Sequence, residues 1–146
     1  MTVVVWDGKK LAADKMVVSG DLRRTITKIR KIRGHLCAIS GDFDRGQEIL
    51  EWFARGAKPE DCPAFQKDNN DWVGLLVITP DKRVLKYERS PYPMDMTESG
   101  RHAIGSGRDF AYAALHLGED AEGAVRVASE LCPTCGHGVD VLTLED

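Results

Sequence analysis

Short apolar runs and strict alternation dominate the first forty residues, a pattern typical of strands rather than helices. Strands are predicted at Val3–Trp6, Lys10–Ala13, Met16–Ser19 and His35–Ser40, with a further alternating stretch over Arg23–Ile32. Asp-Gly and Gly-Asp pairs separate several of these runs and favour tight turns between antiparallel strands. The N-terminal part of the chain is therefore predicted to be mostly β-structure.

Helical spacing first appears after this β-rich region. Asp42 or Asp44 can cap a helix whose apolar positions fall between Ile49 and Phe53, and Gly56 can end it. The polar, proline-containing segment 58–70 that follows is predicted to be a loop. The first helix is thus expected to lie between two groups of strands.

The second half of the chain repeats the order of strands followed by helices. Strands are predicted at Trp72–Thr79, Arg83–Glu88, His102–Ile104 and Val139–Leu144, and helices at Arg108–Leu117 and Ala121–Leu131, the second capped by Asp120. Strands and helices that are segregated along a chain favour α+β layers over alternating βαβ units. Two stacked antiparallel sheets with helices outside them would accommodate this order.

Composition narrows the class of protein. The chain has 146 residues, of which 42% are hydrophobic and 29% charged, as in one ordinary globular domain over 1–146. A net charge of -3 argues against a nucleic-acid partner, because phosphate binding needs a basic face. No apolar run approaches the roughly 20 residues of a membrane span, and no secretory signal pattern opens the chain. A cytoplasmic protein with no membrane or nucleic-acid partner is expected.

The cysteines leave two chemical alternatives beside a structural one. Cys132 and Cys135 form a CxxC motif, which could be redox-active or half of a zinc site, while Cys37 and Cys62 do not form the second pair that a zinc site usually has. A redox pair is favoured at a helix N-terminus, whereas here a helical pattern ends at the motif. A simple turn is therefore favoured, and no metal or cofactor is expected.

Thr2 is the first candidate for chemistry. If Met1 is removed, this residue carries both a hydroxyl nucleophile and a free α-amine. Such an amine has an unperturbed pKa of about 7.7–8.0, so it can accept the hydroxyl proton near neutral pH. Threonine is common at this position, however, and other residues must support the assignment.

Those residues occur in fragments whose order resembles a known family. The fragments are Met1-Thr2-Val3-Val4-Val5, Leu11-Ala12-Ala13-Asp14, Lys28-Ile29-Arg30-Lys31-Ile32, Ala38-Ile39-Ser40-Gly41-Asp42, Ala103-Ile104-Gly105-Ser106-Gly107 and Gly136-His137-Gly138-Val139-Asp140-Val141. Together they resemble the threonine peptidases of the proteasome β-subunit and bacterial HslV type, within the N-terminal-nucleophile hydrolases. The resemblance implies a four-layer αββα sandwich of two stacked antiparallel sheets flanked by helices, which agrees with the predicted α+β order.

The resemblance also implies roles for individual residues. Thr2 would be the nucleophile and Lys28 the cation beside it. Asp14 would pair with Lys28, and Gly41 would donate a backbone N–H to the oxyanion. Ser106 would join the hydrogen-bond network around the Thr2 amine. Taken singly, Asp14 and Lys28 could instead form an ordinary surface ion pair, and Ser106 could be a helix cap.

Substrate contacts follow from the same matching. Val18 and Gly41 would lie on strands beside the cleft, where an extended peptide could add as another strand. Ile39 would line the pocket for the side chain before the cut bond. The implied activity is that of a threonine endopeptidase acting on peptides or unfolded proteins.

The resemblance further implies an assembly and leaves rivals open. It implies a self-compartmentalising homo-oligomeric ring stack, with an ATPase unfoldase as a possible partner. Cys132 and Cys135 stand where many proteasome β-subunits have an aspartate and a serine. A catalytically silent ring-forming homologue and an N-terminal-nucleophile amidase acting on small molecules are the alternatives.

Overall fold

The computed structural model describes residues 2–146, so the predicted removal of Met1 falls outside the described residues. In this part of the chain the strands are β1 (Val4–Trp6), β2 (Lys10–Asp14), β3 (Met16–Ser19), β4 (Leu22–Thr25), β5 (Ile29–Ile32), β6 (His35–Gly41), β7 (Val73–Ile78), β8 (Val84–Tyr87), β9 (Met94–Asp95), β10 (His102–Ile104) and β11 (Val139–Thr143). The α-helices are α1 (Phe43–Ala54), α2 (Arg108–His116) and α3 (Ala121–Leu131), and short 3-10 turns lie at Pro59–Asp61 and Thr97–Ser99.

The strands form two antiparallel sheets and a separate hairpin. One sheet has the order β10-β1-β2-β11 and the other the order β5-β6-β7-β8-β9, while β3 pairs with β4. Val5 is opposite Ala12 on one side and Ala103 on the other, so β1 is a central strand. This placement directs the chain immediately after Thr2 into the middle of a sheet.

The two sheets pack face to face across an apolar layer. Val4, Trp6 and Leu11 from the first sheet meet Leu36 and Leu76 from the second in one buried cluster. Alternate residues of β1 face the other way, because successive side chains of a strand point to opposite faces. Both faces of β1 are therefore buried, which explains its uninterrupted apolar sequence.

Helices cover the outer face of each sheet. Helices α2 and α3 pack on the first sheet largely through alanines, which let the helices approach closely. Helix α1 covers the second sheet, where Trp52 and Phe53 join Ile39 and Leu75 in the core. Asp42 caps α1 by accepting a hydrogen bond from the Arg45 N–H at 3.0 Å. The four-layer αββα order expected from the sequence is thus confirmed.

The alternating stretch Arg23–Ile32 does not form one continuous strand. It is divided into β4 and β5 because the chain leaves the hairpin and joins the second sheet between them. In the intervening segment, the Ile39 N–H donates to the Lys28 carbonyl at 3.1 Å. This crossing places Lys28 in the interior between the strands, at 2% exposure.

The helices of residues 2–146 are all too short or too polar to cross a bilayer.

Packing between the two sheets predicts the effect of a core truncation. Leu11 is fully buried in the intersheet layer, so Leu11→Ala should lower the free energy of unfolding by about 2–5 kcal/mol. Leu22 is 56% exposed on β4, so Leu22→Ala should change the free energy of unfolding by no more than about 0.5 kcal/mol. Urea denaturation of both variants measures the difference. Equal losses would contradict the layered core.

Candidate active site

A buried ion pair joins the end of β2 to the segment before β5. The Lys28 Nζ lies 2.7 Å from Asp14 Oδ1, and both side chains are fully shielded from solvent. Charges are costly to bury unless they are paired and hydrogen-bonded. The sequence alone could not separate this pair from an exposed one, and the structure places it in the interior.

Backbone donors hold the Asp14 carboxylate from three directions. The Val3 N–H donates to Oδ1 at 3.1 Å, and the N–H groups of Met16 and Gly136 donate to Oδ2 at 3.3 and 3.0 Å. These donors lie directly before β1, on β3 and in the turn before β11. Both carboxylate oxygens are therefore satisfied, and three parts of the chain fix the position of Asp14.

Lys28 connects this carboxylate to the hydroxyl of Thr2. Its ammonium lies 3.3 Å from Thr2 Oγ1 and 5.6 Å from the centre of the Phe43 ring. Burial lowers the pKa of Lys28, while the charge and hydrogen bond of Asp14 act in the opposite direction. A cation held beside a hydroxyl stabilises negative charge that develops on its oxygen.

Thr2 is itself fixed by the turn that precedes α2. Its backbone nitrogen donates to Ser106 Oγ at 3.1 Å, and its carbonyl accepts from the Gly107 N–H at 3.1 Å. Gly105 has a φ of +97°, and a Cβ there would collide with the Thr2 carbonyl. The Gly105-Ser106-Gly107 sequence is needed here because the turn passes directly against the Thr2 backbone.

Ser106 is the centre of a small polar network. Besides its contacts with Thr2, its Oγ lies 3.2 Å from Thr134 Oγ1, 3.8 Å from Cys135 Sγ and 3.9 Å from Cys132 Sγ. Sequence reasoning did not single out Thr134. Its position inside the CxxC motif was the available signal, because Thr134 lies between two cysteines that the sequence had already singled out.

A cleft of about 390 Å³ opens beside this network. It is lined by Thr2, Ser106 and Gly41 and, next to Gly41, by Trp72. Gly41 has a φ of +93°, and a Cβ there would collide with the Trp72 carbonyl, so this position requires glycine. Trp72 was predicted only as the start of a strand, and its place in the cleft depends on the pairing of β6 with β7.

The cleft is electropositive along its walls. Lys86 and Arg108 line it, and no carboxylate does so among residues 2–146. Lys86 pairs with Glu88 at 2.7 Å, and the Arg108 guanidinium donates to the Gly105 carbonyl at 3.1 Å. With Lys28 buried behind Thr2, the cleft favours electron-rich groups such as carbonyl oxygens.

The two residues predicted to contact substrate lie elsewhere. Ile39 is 2% exposed and faces α1, where a Cβ on Gly46 would come within 2.6 Å of its Cγ2. Val18 is partly buried on β3, opposite Arg23 of β4. Neither side chain is among the residues that line the cleft. The structure thus brings Thr2, Asp14, Lys28, Gly41 and Ser106 together and leaves these two apart.

Within residues 2–146, no three His, Cys, Asp or Glu side chains are grouped so that they could hold a metal ion. The Nδ1 atom of His137, two residues past Cys135, lies within hydrogen-bond distance of Thr25 Oγ1, at 3.0 Å.

Comparison with known proteins finds similarity in structure but not in sequence families. Neither a protein-family profile nor a curated protein sequence matches the chain. Among solved structures, eukaryotic HslV from Trypanosoma brucei superposes with a TM-score of 0.69 at 21% identity, covering 97% of each chain. BPH from Thiobacillus denitrificans gives 0.69 at 17% identity, covering 98% of this chain and 97% of that chain. BPH in complex with epoxomicin gives 0.64 at 16% identity, covering 98% of each.

These superpositions extend over nearly the full chain, including the strands and turns that surround Thr2. The identities are low, so what the superpositions establish is the arrangement of the backbone. The protein therefore has the fold seen in HslV and in BPH.

Proposed function

We propose that the protein is a cytoplasmic threonine peptidase that cleaves peptide bonds through an acyl-enzyme on Thr2 once Met1 has been removed. The observation that carries the proposal is the contact of Thr2 Oγ1 with the buried Lys28 ammonium, 3.3 Å apart, at the wall of a cleft. A buried cation beside a hydroxyl can stabilise the negative charge that develops on the oxygen when the hydroxyl attacks. The HslV-like fold and the neighbour solved with epoxomicin support the same activity.

The proposed reaction begins with proton transfer to the freed Thr2 amine. Thr2 Oγ1 attacks the carbonyl carbon of the peptide, and its proton passes to the amine directly or through water. The C–N bond then breaks, the proton goes to the leaving nitrogen, and an ester remains on Oγ1. A water molecule attacks that ester by the same route, releasing the acid and restoring the Thr2 hydroxyl.

Lys28 serves both halves of this reaction. Its charge stabilises the oxygen of Thr2 as the hydroxyl proton leaves. The same charge disfavours protonation of a nearby amine, which keeps the Thr2 amine available as a base. Asp14 holds Lys28 in place, and the three backbone N–H donors hold Asp14.

The other proposed roles concern the substrate. Gly41 would donate its backbone N–H to the oxyanion, a role supported by its place in the cleft with Thr2. An extended peptide would lie between the end of β6 and β3, alongside Val18. Ile39 would contact a substrate side chain only where that side chain reaches the packing between β6 and α1.

Assembly into a homo-oligomeric ring stack is part of the proposal. Its support is the HslV-like fold together with large apolar side chains exposed on and beside α2 and α3. These are Phe110, Tyr112, Leu117 and Leu131, of which Leu117 is 84% exposed. Another copy of the chain would shield these side chains from water, and an ATPase unfoldase would then deliver unfolded protein to the enclosed sites.

Substitution of Thr2 tests the nucleophile. In protein shown by intact mass to lack Met1, Thr2→Ala should abolish cleavage of fluorogenic peptides, because the attacking oxygen is gone. Thr2→Ser keeps a hydroxyl and an amine and should retain measurable kcat. Unchanged cleavage by Thr2→Ala would contradict the proposal.

The same assay separates the alternatives. A Met1-free wild-type protein that cleaves small amides but no peptide would be an amidase. A Met1-free protein that cleaves neither peptides nor small amides but still assembles would be the silent homologue. That alternative is favoured by Cys132 and Cys135, which stand where many proteasome β-subunits have an aspartate and a serine.

Substitution of Lys28 tests whether the ion pair is chemical or only structural. Lys28→Met should lower kcat by about 100-fold or more, because the cation beside Thr2 is lost. It should also destabilise the fold by about 3–5 kcal/mol, since Asp14 is left buried and unpaired.

The double variant Asp14→Asn/Lys28→Met provides the matched control. Removing both charges should restore much of the free energy of unfolding measured in urea, while kcat stays low. Recovery of kcat together with stability would mean that the pair acts only on folding.

The assembly has its own test. The wild-type protein should sediment as a multi-subunit complex in analytical ultracentrifugation, and Leu117→Lys should shift it toward smaller species, because a charge would be buried in the interface. Ser19→Lys, on the exposed end of β3, is a control that should leave the distribution unchanged. A wild-type monomer at micromolar concentration would exclude the ring.

A further inference from the structure

The CxxC motif closes a tight turn directly after α3. The Cys135 N–H donates to the Cys132 carbonyl at 3.2 Å, which is the hydrogen bond of a four-residue turn. Such a turn holds its first and last Cα atoms within about 7 Å, close to the range that a disulfide requires. Both cysteines are free thiols in this structure.

The side chains of the turn point to one atom. Cys132 Sγ and Cys135 Sγ lie 3.9 and 3.8 Å from Ser106 Oγ. Ser106 in turn accepts the hydrogen bond from the Thr2 nitrogen. The thiol pair therefore lies one contact away from the nucleophile.

A groove separate from the cleft beside Thr2 reaches the two cysteines. This groove of about 390 Å³ is lined by both cysteines together with Met16, Arg23 and His137. The pair is mostly buried, at 7% and 4% exposure, but this groove gives a small oxidant a path to the sulfur atoms. Arg23 and Glu130 both line the groove, so its wall carries charges of both signs.

The two thiols are chemically unequal. Burial acts to raise the pKa of Cys132, but its hydrogen bonds with Thr134, Cys135 and Ser106 outweigh this effect and lower that pKa. Burial and the hydrogen bond to Cys132 raise the pKa of Cys135 to about 12. One thiol is thus favoured as the thiolate that attacks, and its neighbour as the thiol that resolves the product.

We propose that Cys132 and Cys135 form a reversible disulfide that disconnects Ser106 from its sulfur partners and slows the chemistry at Thr2. The modification site stands on the geometry of the turn and groove. Only its effect on peptide cleavage rests on the proposed function.

The oxidant is hydrogen peroxide, and the disulfide forms in two steps. The Cys132 thiolate attacks one peroxide oxygen, the O–O bond breaks, and with one proton a sulfenic acid and water are formed. The Cys135 sulfur then attacks the sulfenic sulfur, the S–O bond breaks, and its proton leaves with the hydroxyl as a second water. Two thiols have lost two electrons to one peroxide, and a dithiol reverses the change by exchange.

Formation of the bond changes what Ser106 can do. An S–S bond is about 2.05 Å long and carries no S–H donor, so the sulfurs move toward each other and neither can donate a hydrogen bond to Ser106 Oγ any longer. Ser106 then keeps Thr134 as its neighbour but loses two contacts that fix its hydroxyl. The hydrogen bond to the Thr2 nitrogen depends on that orientation.

Mass spectrometry tests the site without using activity. Native protein treated with hydrogen peroxide at sub-millimolar concentration should lose two hydrogen atoms, and the peptide map should place the bond between Cys132 and Cys135. Dithiothreitol should restore the original mass. Cys62→Ser is the matched control, since Cys62 is more exposed but lies in another part of the fold, and it should oxidise in the same way.

The proposal fails if peroxide gives no mass change, gives sulfinic acid on Cys132 without a bond, or joins either cysteine to Cys62. Peptide cleavage by the oxidised wild-type protein should fall several-fold and recover with dithiothreitol. Formation of the disulfide with unchanged cleavage would overturn its effect on Thr2. Absence of cleavage in the reduced protein would instead count against the proposed function, because the mass change is read independently.

Discussion

The buried ion pair of Asp14 and Lys28 is the interaction on which the arrangement around Thr2 depends. Asp14 receives N–H groups from Val3, Met16 and Gly136, so one carboxylate ties together two strands and the turn before β11. Lys28 then extends this anchor to the hydroxyl of Thr2. A pair of well-packed apolar residues would often stabilise a core as well as a buried ion pair does. The proposed function gives the pair a reason beyond stability, because its ammonium lies beside the Thr2 hydroxyl.

Much of the fold follows from the sequence because its signals are local. The apolar run of β1, the Asp42 cap of α1 and the alanine-rich face of α3 each specify an element without reference to distant residues. The division of the Arg23–Ile32 stretch is different. The strand is interrupted there because β4 pairs in the hairpin and β5 pairs in the second sheet, and no local residue signal marks that change. Continuous alternation cannot reveal where a chain changes sheets, because both halves keep the same period.

The candidate site was predictable where the family order supplied it and not where contacts cross the fold. Thr2, Asp14, Lys28, Gly41 and Ser106 were found through order along the chain, and the structure brings them together. Trp72 and Thr134 were missed because their roles come from the pairing of β7 with β6 and from the turn after α3. Ile39 faces α1 instead of the cleft, which reflects the alternation of β6: its neighbour Ser40 takes the cleft side.

The most direct test of the account is covalent labelling of Thr2 in the native protein. Met1-free protein, verified by intact mass, is incubated with epoxomicin, the ligand of one BPH structure, and the modified residue is located by peptide mapping. The account predicts one adduct per chain, placed on Thr2 and absent from Thr2→Ala. Met1-free protein that remains unlabelled, or that carries the adduct on another residue such as Cys132, would contradict it.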